Sequence, residues 1–155
     1  MLFNSYSFFI FFPIVVAGYF ILKRQSTRIF FLLAASYYFY MAWRPKYIAL
    51  LFLSTLINYL CAIKISALTD KKNRKKYLIA SVICNISFLF FFKYYLFFAE
   101  TINPLVSLPL WKIILPIGIS FYTFQTLSYV IDVYKGELRA ERSLARFALY
   151  ISFFP

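Results

Sequence analysis

From Phe8 onward the chain alternates apolar runs with short basic segments. The runs cover residues 8–22, 29–43, 47–68, 77–92 and 111–134. A hydrocarbon core of ~30 Å takes ~20 helical residues at ~1.5 Å each, so runs of this kind predict an all-α, polytopic membrane bundle. About five membrane-associated runs are expected, followed by an amphipathic segment at the C-terminal end. That segment is expected to start at a Ser143 cap and to reach Pro155.

The punctuation supports this division. The first run contains Pro13, and its basic flank (Lys23, Arg24, Arg28) follows it instead of preceding it. A secretory signal has the reverse order, so the run is expected to be retained as a membrane helix. The second run is short for a span and ends in Tyr37, Tyr38, Tyr40 and Trp43, an interfacial aromatic belt. Residues 44–46 make a turn, and 70–76 are the clearest loop. Lys93 is expected to snorkel, with 94–103 along the membrane surface. Pro104 and Pro109 break the chain before the fifth run.

Of the seventeen Lys and Arg residues, thirteen fall in alternate connections, at 23–28, 64–76 and 135–146. The positive-inside rule makes that side cytoplasmic and puts the N-terminus outside. Asn58 and Asn85, at similar depths in successive runs, are expected to make an interhelical hydrogen bond; lining of a substrate path is the other reading.

The fifth run contains the candidate site. Residues 119–134 hold no Pro or Gly, which predicts a helix. At 100° per residue, Tyr122, Gln125, Thr126, Tyr129 and Asp132 share roughly a third of its circumference, while Phe121, Phe124, Leu127 and Ile131 lie mostly opposite. A carboxylate and an amide at membrane depth need protein or water around them, so this face is expected to meet a bundle interior or a polar cavity. Two roles fit: a structural network that anchors Asp132, or the wall of a substrate path.

This stretch also resembles the membrane-bound O-acyltransferase family, in the bacterial branch that includes alginate O-acetyltransferases and a protein of teichoic-acid D-alanylation. The matching residues run from Leu115-Pro116-Ile117-Gly118-Ile119-Ser120-Phe121-Tyr122-Thr123-Phe124-Gln125 through Ser128-Tyr129 and Asp132-Val133-Tyr134 to Gly136-Glu137. Arg146-Phe147, Tyr150 and Phe153-Phe154-Pro155 match again, and 36–47 and 58–59 match more weakly. The resemblance covers most of the chain but about the first third of a usual family member, so 1–155 is expected to be one truncated N-terminal part of the domain. It implies transfer of an acyl group, most often acetyl, from a cytoplasmic thioester donor such as acetyl-CoA to an exported or cell-wall polysaccharide. It also implies the bilayer as surroundings, an extracytoplasmic partner protein, and a tunnel lined by Tyr122, Gln125, Thr126, Tyr129 and Asp132. The family's catalytic histidine lies downstream of these motifs, so the resemblance assigns no catalytic residue here, no bound cofactor and no metal.

Composition narrows the alternatives. The chain is 63% hydrophobic and 14% charged, against about 25% charged in a soluble domain. Its net charge of +12 lies between the apolar runs instead of on one solvated face, which argues for lipid headgroups and against nucleic acid. It contains no histidine, so no Ser-His-Asp, Cys-His or usual zinc arrangement can be built from it. Cys61 and Cys84 lie inside apolar runs, as small buried hydrophobes do. Transfer from a thioester to a hydroxyl needs a base, commonly histidine, so 1–155 alone is expected to insert but to be inactive. A transporter or flippase segment, and a non-catalytic scaffold or gene remnant, are the rival readings; a transporter would more often show paired broken helices in two related halves.

Overall fold

The structure is a computed structural model that describes residues 6–42, 45–102 and 118–153. Among these residues all regular structure is helical: α1 (Tyr6–Ile21), α2 (Gln25–Met41), α3 (Lys46–Ala67), α4 (Lys71–Ile102), α5 (Ile119–Lys135) and α6 (Leu144–Ser152). They group into two compact units, one of residues 1–59 with 141–155 and one of residues 60–140.

In the first unit, α1 continues through Pro13. The missing N–H and the ring would disrupt a helix in water; in a membrane segment, local adjustment and neighbouring groups absorb them. Val15, Ala35 and Phe39 form the core between α1 and α2, with Phe8, Phe11, Phe31 and Leu32 around it. Phe39 meets Phe8 edge-on at 5.9 Å and stacks on Phe11 at 6.5 Å. Gly18 leaves room for the Phe31 ring, since a Cβ there would lie 2.5 Å from Phe31 Cζ and the ring would have to shift. The α1–α2 connection is tied by Arg28, whose Nε donates to the Leu22 carbonyl at 2.6 Å and whose guanidinium lies 4.7 Å from the Tyr19 ring centre.

α6 packs on α2. Ser143 caps it as expected, its Oγ accepting from Arg146 N–H at 3.5 Å. The helix stops at Ser152, and Phe154 and Pro155 lie outside the described residues. Phe147, Ala148 and Ile151 form its buried face. Tyr59 holds it in place, donating to the Arg142 carbonyl at 2.6 Å with its ring 5.9 Å from Phe147.

In the second unit, α4 is one helix of 32 residues, which corrects two expectations. The segment 70–76 is helical from Lys71, because Asp70 Oδ1 accepts from Lys72 N–H at 3.1 Å and the lysines behind it are good helix formers. At the other end, 94–102 continues the same helix through Lys93, whose ammonium lies 5.4 Å from the Tyr94 ring centre. Pro104, Pro109 and the beginning of the fifth run, 111–117, lie outside the described residues.

Two described helices are long and apolar enough to cross a membrane: Lys46–Ala67, and Lys71–Tyr95 within α4. That is fewer than the five runs expected; α1 has 16 residues, and α2 and α5 have 17 each. The burial pattern points the same way as the two long helices. Only 11% of the apolar window in α4 is buried, so it is no core helix of a soluble protein. Ile79, Ile83, Ile86 and Phe90 on its outer face are exposed, whereas Ser81 and Asn85 are buried. Polar groups inside and large hydrophobics outside reverse the soluble arrangement and suit a lipid solvent.

Candidate functional site

Gly118 and Gly136 bound α5, and both take left-handed conformations, with φ of 75° and 87°. These positive φ values are what the two glycines supply, since an L side chain would be strained at either end. At the C-terminal end the chain folds back: Gly136 and Glu137 N–H both donate to the Asp132 carbonyl at 3.0 Å. The next acceptors along α5 belong to Arg74. Its Nη2 donates to Tyr134 O at 2.7 Å and to Val133 O at 3.3 Å, and its guanidinium lies 5.5 Å from the Tyr134 ring centre. A cation on the last carbonyls of a helix opposes the negative end of its dipole, an effect of about 0.3–1 kcal/mol. Sequence reasoning missed this residue and counted it only as a topogenic charge. The available signal was its identity, the lone Arg among the lysines of 71–76.

The five predicted residues of α5 divide into two groups. Tyr122 and Thr126 are buried, together with Ile119, Thr123, Val130 and Val133. Gln125, Tyr129 and Asp132 are half-buried, and Phe121, Phe124 and Ser128 are exposed. The predicted polar arc thus runs across the edge of the packed face, with Thr126 at its inner side and Gln125 and Asp132 at its outer side.

The inner side packs on α4. Thr126 Oγ1 lies 3.1 Å from Asn85 Oδ1, 2.9 Å from Tyr122 O and 2.8 Å from Thr123 O, so one hydroxyl proton has three acceptors within reach. Asn85 Nδ2 donates to Ser81 O at 2.8 Å, and Asn58 repeats that geometry with Ser54 O at 2.8 Å. Asn85 thus makes an interhelical bond with Thr126 of α5, a partner that sequence reasoning did not name. One such bond is worth about 0.6 kcal/mol, and it adds to close packing in holding α5 on α4. Nearer the C-terminus of α5 the packing becomes apolar, with Val130 and Val133 against Ala62 and Ile65 of α3.

The outer side carries the amide of Gln125 and the carboxylate of Asp132. Asp132 lies one turn from the C-terminus of α5, where a carboxylate faces the negative end of the dipole at a cost of about 0.3–1 kcal/mol. The ion pairs found among the described residues, Lys135–Glu137 at 3.8 Å and Arg146–Glu141 at 3.9 Å, do not include it. No group of three or more His, Cys, Asp or Glu that could hold a metal occurs among the described residues. Cys61 and Cys84 are free thiols. A cavity of about 380 Å³ is present in the first unit; its lining is apolar and includes none of the α5 residues.

Three comparisons bear on identity. The chain is 37% identical, over its whole length, to the probable alginate O-acetylase AlgI of Pseudomonas syringae pv. tomato, of which it covers 31%. It is 36% identical over its whole length to the probable alginate O-acetylase AlgI of Pseudomonas aeruginosa, again covering 31% of that protein. With the peptidoglycan O-acetyltransferase of Helicobacter pylori it shares 38% identity across 87% of this chain and 27% of the relative. The chain thus spans about a third of the length of the curated relatives it matches. No family model matches it, and no solved structure does.

Proposed function

We propose, from the premise that this chain is homologous along its whole length to part of the bacterial membrane-bound O-acyltransferases, that it forms one section of an enzyme that O-acetylates an exported or cell-wall polysaccharide. The observation that carries the reading is the identity with O-acetyltransferases across the entire chain. The inverted burial of α4 and the polar arc of α5 agree with it.

In this proposal the acceptor hydroxyl attacks the carbonyl of an acyl thioester such as acetyl-CoA. A new C–O ester bond forms, the C–S bond breaks, and the thiol leaves with the proton that a base has taken from the hydroxyl. This chain supplies no histidine, so the base belongs to the two thirds of the homologous enzymes that it does not span. Its own contribution is the wall of the passage. Thr126 and Tyr122 fix α5 on α4, and Gln125, Tyr129 and Asp132 present amide, phenol and carboxylate to the acyl group or the acceptor. The count of basic residues between the runs supports an N-terminus outside and Asp132 near the cytoplasmic end of α5, the side on which the thioester is made. An extracytoplasmic partner protein that handles the polysaccharide acceptor completes the scheme.

The test uses membranes with and without the complete gene product, an acetyl donor labelled in the acyl group, and the candidate polysaccharide. The proposal expects alkali-labile label on the polysaccharide only with the protein present. Equal label in both membranes contradicts it.

A further inference from the structure

The α1–α2 hairpin carries an apolar groove that the proposed chemistry does not use. Its cavity of about 380 Å³ is bounded by Phe12, Val16, Tyr19 and Phe20 on α1, by Leu32 on α2 and by Phe153 beyond α6. From Phe12 to Phe20 the groove follows α1 for ~12 Å at ~1.5 Å per residue. It is open at the side, since Phe20 is 72% exposed and Val16 37% exposed.

One end is charged. Lys23 and Arg24 are exposed just past α1, and Arg28 stands over Tyr19, which itself lines the groove. No acid occurs anywhere before Asp70, so the hairpin offers three cations and no anion of its own. An apolar slot with a cationic head at helix-terminus level matches one kind of molecule. Its occupant needs a flexible hydrocarbon chain joined to an anionic group, and the bilayer supplies this as an anionic glycerophospholipid.

We propose that the α1–α2 groove is a binding site for a single anionic phospholipid, with one acyl chain between Val16, Phe20 and Leu32 and the phosphate beside Lys23, Arg24 and Arg28. The site is independent of the acyltransferase reading and needs only that the chain lies in a bilayer. The aromatic lining gives the acyl chain a rigid wall, and the pairing of Arg28 with Tyr19 holds the charged end next to the slot.

The test is native mass spectrometry of the purified protein with phosphatidylglycerol or phosphatidylethanolamine of the same acyl length. Phosphatidylglycerol is expected to stay bound about fivefold better, the effect of roughly one basic residue near an anionic surface. The double variant Lys23→Gln/Arg24→Gln should lose that preference; both positions are exposed, so the packed core is untouched, and Arg28 remains on the same connection. Val16→Trp, which fills the slot, should lower retention of both lipids, and Lys75→Gln in α4 should change nothing. Circular dichroism of each variant confirms the helix content. Equal retention of the two lipids overturns the proposal. So does a charge preference that survives Val16→Trp, because the lipid would then rest on the headgroup charges with no chain in the groove.

Discussion

The hydroxyl of Thr126 on α5 lies 3.1 Å from the side-chain oxygen of Asn85 on α4, at a depth where both residues are buried. In lipid, helices associate through close packing and interhelical hydrogen bonds, and this pair supplies such a bond between α4 and α5. A double-mutant cycle of Thr126→Val and Asn85→Leu should give a coupling energy of about 0.6 kcal/mol, read from unfolding in bicelles. Asn85→Ala should cost more than Asn85→Leu, because it leaves Thr126 without Asn85 and also opens a cavity. Additive single effects would contradict that bond.

Arg74 acts on the C-terminus of α5 through one planar group that reaches two carbonyls and an aromatic face. Arg74→Lys keeps the charge and loses that geometry. Hydrogen exchange at the amides of 135–138 should therefore accelerate in Arg74→Lys nearly as much as in Arg74→Gln, and stay at the parent rate in Lys75→Gln. Protection retained in Arg74→Lys would reduce the residue to a point charge.

Gly136 has φ of 87° and no neighbour within 4 Å of where a Cβ would stand. Space is free there, so the penalty for Gly136→Ala should be conformational alone, about 1 kcal/mol. Gly136→Asn should cost less, since Asn tolerates the left-handed region. Chemical denaturation of the three proteins orders them; a larger loss for Asn than for Ala would contradict the backbone argument.

Orientation is checked with single cysteines in a background lacking Cys61 and Cys84. Tyr6 and Thr69 are both exposed and uncharged. An impermeant thiol reagent on intact cells should label Tyr6→Cys and leave Thr69→Cys unlabelled until the membrane is opened. The reverse pattern would invert the proposed topology.

Periodicity revealed the helices where packing and sequence agree: 47–68 became α3, 119–134 became α5, and Ser143 capped α6. It failed at α4, where Lys71–Lys76 and Lys93 looked like breaks. Charged residues are poor markers of helix ends when the helix is longer than the bilayer is thick, since its termini stand in the headgroup region and need no turn. Of the five expected runs, two became helices long and apolar enough to cross a membrane among the described residues; hydropathy measures apolar length, while α1, α2 and α5 have 16 or 17 helical residues. The polar arc of α5 was legible as an arc. Its division was not, because whether Thr126 or Gln125 turns inward depends on Asn85, forty-one positions away from Thr126. Arg74 went unseen for the same reason: its partners lie 59 and 60 residues away.

The outer side of α5 is where the proposed passage is tested most directly. If Gln125 and Asp132 line the path of the acyl group, acetyl transfer to polysaccharide by the complete gene product should drop by about tenfold or more in Asp132→Ala and in Gln125→Leu, a loss of ~1.4 kcal/mol or more in transition-state stabilisation. Ile131→Ala, on the apolar side of the same helix, should stay within about twofold of the parent at equal membrane abundance. Equal activity of all three variants would contradict the account and leave the arc as packing alone.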